Sequence, residues 1–107
     1  MVKVAEKIVS IASEFIAEVN NHIKVNKAYI FGSQAMGHSD QESDLDIAIF
    51  SDDFSNVKFV EATAFLFSIA RKYDTVCIEP VGFATSDLES NNPFVNEIIS
   101  TGIEIPT

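Results

Sequence analysis

Phe31-Gly32-Ser33-Gln34-Ala35-Met36-Gly37-His38-Ser39-Asp40-Gln41-Glu42-Ser43-Asp44-Leu45-Asp46-Ile47-Ala48-Ile49-Phe50 places a strand end, a Gly-Ser turn, a second glycine and an Asp-x-Asp strand within twenty residues. On a strand, alternate side chains share a face, so Asp44 and Asp46 point together while Leu45 and Ile47 point into a core. Two neighbouring carboxylates repel one another, and a cation between them relieves the repulsion. Gly32 permits a backbone conformation or a close approach denied to other residues, and Ser33 with nearby amides can hold a phosphate oxygen. Adjoining phosphate and metal sites suit phosphoryl and nucleotidyl transfer, in which Mg2+ neutralises a triphosphate and the protein positions the parts.

Two other motifs lie close to this stretch and fail on specific positions. A phosphate-binding loop would need Lys where His38 stands and a long helix afterwards. A calcium loop starting at Asp40, with Glu42, Asp44 and Asp46 alternating, would need glycine at Leu45 and glutamate at Ser51. Asp40 and Glu42 therefore read as a solvated loop edge. His38 reads as solvent-facing and His22 has no assigned role, since no second His or Cys stands at zinc-ligand spacing.

Outward from the motif, Val4, Ile8, Ile11, Phe15 and Val19 recur at three- and four-residue steps and predict an amphipathic helix over the first twenty residues. Lys27 to Phe31 and Leu45 to Phe50 predict two strands. Ser51-Asp52-Asp53 supplies capping side chains for a helix over about residues 54 to 72, with Phe59, Phe65 and Phe67 assigned to the core. Thr75 to Ile78 predicts a third strand stopped near Pro80, and Thr85 to Glu89 a capped helical turn. Pro93 opens and Gly102 closes a last helix. The expected class is α/β (α+β), a small mixed sheet flanked by helices in one domain over residues 1–107.

The 107 residues are 47% apolar with nine Phe, which argues for a packed core and against disorder. Asp and Glu outnumber Lys and Arg by 16 to 7, for a net charge of -9. That balance argues against general nucleic-acid binding and favours a basic protein partner; a homo-oligomer is compatible with it. Cys77, the one cysteine, lies in an apolar run and reads as a small buried hydrophobe in a reducing cytoplasm. Lys3, Glu6 and Lys7 interrupt the apolar start, so neither a signal peptide nor a membrane span is expected, and the expected location is cytoplasmic.

Gly32-Ser33-x-x-x-Gly37 followed by Ser43-Asp44-x-Asp46 resembles the signature of the minimal nucleotidyltransferases of the DNA polymerase beta superfamily. Ile78-Glu79-Pro80 and the segment Asn92 to Ile105 are also similar to parts of these short domains, so the resemblance covers nearly the whole chain. It implies a polymerase-beta-like fold, ATP as substrate, and Gly32, Ser33, Gly37 and Ser43 at the nucleotide. It also implies a third carboxylate completing the metal site of Asp44 and Asp46, with Glu79 as first choice, Asp74 as second, and the third carboxylate as general base. Members often pair with a helical toxin of the HEPN type, as antitoxins that transfer AMP to a toxin tyrosine. Met36 departs from the pattern, because the family commonly carries a basic residue before the second glycine. That departure keeps a second reading open, a non-catalytic module that neutralises a toxin by contact.

Overall fold

The computed structural model describes residues 6–36, 44–73 and 76–107. Within them the elements are α1 (Glu6–Asn20), β1 (Lys27–Phe31), α2 (Ser33–Met36), β2 (Leu45–Ser51), α3 (Phe59–Ala70), β3 (Ile78–Ala84), α4 (Pro93–Thr101) and β4 (Ile103–Ile105), with 3-10 turns at Asp52–Phe54 and Thr85–Glu89. The strands form one mixed sheet in the order β3-β2-β1-β4. β2 and β4 run antiparallel to β1, whereas β2 and β3 are parallel. A parallel pair needs a crossover between its strands, and α3 supplies it.

Strand alternation divides the apolar residues between two cores. Leu45, Ile47 and Ile49 of β2, with Ala28, Ile30 and Ile78, pack against Ile8, Ile11, Phe15 and Val19 of α1 and Ala62, Leu66 and Ile69 of α3. On the other face Tyr29, Ala48, Phe50 and Phe83 meet Val95 and Ile98 of α4. Its rings form a chain, with Phe50 stacked on Phe83 and Phe94 edge-on to both Phe83 and Phe31. One helix thus covers the second face where two cover the first, and this face leads to Asp44 and Asp46.

The β1, β2 and α4 expectations hold, with α4 opened by Pro93, capped by the Asn92 side chain and closed at Gly102, and the α1 expectation holds over Glu6–Asn20, while Val4 lies outside the described residues. Three others are corrected, and one strand was not expected. The Ser51 hydroxyl accepts from the Asp53 N–H and so caps the short turn Asp52–Phe54, while α3 begins later, at Phe59, with no side-chain cap. Of the strand expected over Thr75 to Ile78, Thr75 lies outside the described residues and Val76 and Cys77 precede the strand; β3 begins at Ile78 and, instead of stopping near Pro80, runs on to Ala84. It is an edge strand, and the N–H of Gly82, two residues on and on the same side, donates to Thr63 Oγ1 instead of to a strand. Pro80 therefore costs the β2–β3 ladder no donor. The short tail strand β4 lacked a visible pattern of its own, because three residues are too few for an alternation signal. Phe59 and Phe67 are exposed at 46% and 39%, so neither is the core residue expected: Phe65 packs against the first core, and the Phe59 ring only rests against Phe83 at its margin.

α3 lies so close to β3 that a Cβ on Gly82 would stand 2.9 Å from the Ala62 Cβ, 3.0 Å from Phe54 Cε2 and 3.1 Å from Leu66 Cδ1. Gly82→Ala is therefore expected to lower stability by ~1–3 kcal/mol through overpacking. Urea denaturation checks this; a neutral effect would show that α3 moves freely over the sheet.

Candidate metal and nucleotide site

Asp44 and Asp46 sit at the start of β2, on the face shared with Ala48 and Phe50, and Leu45 and Ile47 are fully buried on the opposite face. The parallel register sets Asp46 beside Glu79. Glu79, the first choice for the third carboxylate, is thereby brought to the Asp44–Asp46 pair across the β2–β3 ladder. Cys77 lies two residues before Glu79 on the same face, and its sulfur and the carboxylate oxygens of Asp44 and Glu79 all fall within 4.8 Å of one another. Cys77 is exposed, which corrects its reading as a buried hydrophobe. Val76 and Ile78 take the buried positions on either side of it. The same alternation that paired Asp44 with Asp46 pairs Cys77 with Glu79, a signal available in the sequence but masked by the apolar context of the cysteine.

Gly32 ends β1 next to Asp46, since Phe31 and Asp46 are register partners. Its φ is +74°, in the left-handed region, and a Cβ there would collide with Asp46 Oδ2. Glycine is thus required twice at this position, by backbone conformation and by the approach of the carboxylate. Ser33 follows as the first residue of α2. Gly37, Ser43 and the alternative third carboxylate Asp74 lie outside the described residues.

The electrostatics follow from this crowding. Partial burial, then the charges of Glu79 and Asp44, then the hydrogen bond with Glu79 push Asp46 up to about 6 from an ordinary 3.8. Desolvation and the charge of Asp44, with smaller effects from Glu79 and Asp46, likewise push the Cys77 thiol up. Among the described residues the ion pairs are His22–Glu18, Lys27–Glu104 and Lys72–Glu18, so no protein cation neutralises Asp44, Asp46 or Glu79. A hard divalent cation held by oxygen ligands fits this donor set, and it would reverse the upward shift on Asp46.

The sequence matches the family model "Polymerase beta, Nucleotidyltransferase" over residues 13–107. No curated protein matches it. Among solved structures, a Sulfolobus solfataricus protein provisionally described as a nucleotidyltransferase superposes with a TM-score of 0.64 and 16% identity, covering 92% of this chain and 78% of the other. At that identity the likeness bears on the fold alone.

Asp46 holds its proton more tightly in the folded chain than in the unfolded one, so the folded state binds the extra proton between about pH 4 and pH 6 and loses stability as pH rises through that window. Without divalent ions, Asp46→Asn is expected to be more stable than wild type at pH 7.5, by about 1 kcal/mol after allowance for solvent screening, or ~4–8 °C in Tm. At pH 4 the difference should vanish. Thermal melts across pH read both points; a less stable variant at pH 7.5 would contradict carboxylate crowding as the dominant effect.

Proposed function

The chain belongs to the polymerase beta nucleotidyltransferase family, and from that premise we propose that it transfers AMP from ATP, with Mg2+, to a hydroxyl acceptor. One observation carries this reading: Asp44, Asp46 and Glu79 converge on one face against Gly32, with no protein cation to neutralise them among the described residues. The family uses a nucleoside triphosphate and a divalent metal; Asp44 and Glu79 have ligand atoms close enough to share one, with Cys77 beside them, and Asp46 is the register partner of Glu79.

In the proposed reaction the acceptor oxygen attacks the α-phosphorus, the bond to the bridging oxygen of the β-phosphate breaks, and pyrophosphate leaves. Asp44, Asp46 and Glu79 would hold the metal, which when bound offsets the triphosphate charge. Glu79, exposed near the start of β3, is the carboxylate proposed to take the acceptor's proton. Gly32, with no side chain, lets the triphosphate approach the backbone beside Asp46, and Ser33 is the proposed phosphate-contacting hydroxyl.

The acceptor proposed from the family resemblance is a tyrosine of a HEPN-type toxin, which makes this chain the antitoxin of a pair. Its net charge of -9 suits a basic protein partner, and the exposed Val57, Phe59 and Val60 before and at the start of α3 offer apolar surface for a protein contact. A second reading, neutralisation by contact alone, is favoured by Met36, which stands where relatives commonly carry a cation for the triphosphate.

Two measurements separate these readings. Calorimetric titration of ATP with Mg2+ should show binding by wild type that Asp44→Asn and Asp46→Asn each reduce at least tenfold; metal-independent binding, or none, counts against the transferase. With the partner toxin, Asp46→Asn should form the complex but leave the toxin without added AMP by mass spectrometry and still toxic. Full neutralisation by that variant would establish the contact mechanism instead.

A further inference from the structure

Gly32 has a second role beside its contact with Asp46. With Phe31 it forms one wall of a hollow of about 170 Å³ whose other wall is α4, through Phe94, Glu97, Ile98 and Thr101. The hollow and the carboxylate cluster share Gly32, which lines the one and stands against the Asp46 carboxylate of the other. Phe94 is 42% exposed, although its ring leans edge-on against Phe31 and Phe83, so an aromatic face is held in place and left open to a ligand. Ile98 is buried and floors the site. Thr101 donates its hydroxyl to the Glu97 backbone carbonyl, which turns it away from ligand duty, and the Glu97 carboxylate makes no hydrogen bond among the described residues.

We propose that this hollow between the end of β1 and α4 holds the nucleobase of the bound nucleotide, with the base stacked on Phe94 and its exocyclic amino group donating to the Glu97 carboxylate. The inference rests on the nucleotidyltransferase reading and extends it to base recognition. Size supports it: the volume accommodates one planar ring system and falls below the ~300–1,000 Å³ of sites for drug-sized ligands. Chemistry supports it as well, since an open aromatic ring takes any base by stacking while a lone carboxylate can only accept, and so selects a base with an amino donor. Adenine meets both conditions.

The test compares three probes in the presence of Mg2+: ATP, inorganic tripolyphosphate, which has no base, and purine riboside triphosphate, which has the ring system without the amino group. Phe94→Ala should weaken ATP about tenfold and leave tripolyphosphate unchanged. Glu97→Ala should erase the preference for ATP over purine riboside triphosphate. Phe94→Leu keeps apolar bulk against Phe31 and Phe83 and should show the same selective loss, which separates stacking from a packing defect. Equal losses for ATP and tripolyphosphate, or none for ATP, would overturn the base site while leaving the phosphate and metal site standing. Wild type that binds neither probe would remove the nucleotidyltransferase reading and the base site together.

Discussion

The site depends on the pairing of β2 with β3, the one parallel ladder among the described strands. Because the register sets Asp46 against Glu79, two carboxylates from distant parts of the sequence meet side by side, and Asp44 and Cys77 flank them on the same face. Nothing local to either strand favours this encounter; like charges directly opposite one another in a sheet are destabilising. The ladder is held by what lies on its other face, where Leu45 and Ile47 are fully buried and Ile78 nearly so, under α1 and α3. Apolar burial on one face thus sustains charge crowding on the other, and a two-residue period links them.

The crossover makes this geometry possible and also limits it. α3 must cover β2 and β3 closely enough to exclude water from Ile47 and Ile49, and Gly82 lets it come within contact of the strand. The opposite face is treated differently. α4 reaches β1 through Val95 and Ile98 but leaves the rings of Phe59 and Phe94 partly open. A face that must admit a ligand cannot be closed as tightly as one whose purpose is stability, and the unequal covering of the two cores reflects that division.

Most of this was legible in the sequence wherever a period ran long enough to be read. α1 shows helical spacing and α4 has Pro93 and Gly102 as boundary residues, and the Asp44-x-Asp46 alternation sets the two carboxylates on one face. The failures share one cause: each depended on a neighbour in space. Pro80 reads as a strand terminator unless β3 is known to be an edge. Cys77 reads as buried because its flanking residues are apolar, and the strand that turns it toward Asp44 starts only at Ile78. β4 is three residues long and owes its strand conformation to the open edge of β1. Phe59 and Phe67 look like core residues by composition, and only the sheet's position relative to α3 shows that they are not.

Gly32 joins these levels most directly. A left-handed turn at the end of β1 could in principle tolerate Asn, at some cost in strain. Any side chain, however, would enter the space held by the Asp46 carboxylate. The constraint is therefore set by the site and only partly by the turn, and the glycine in Gly32-Ser33 is best understood together with the Asp-x-Asp fourteen residues further along the chain, at Asp46. Gly32 also lines the hollow beside α4. The proposed base site and the proposed phosphate and metal site therefore meet at this one backbone position, which a nucleotide needs if its phosphates and its base are to be held by one small domain.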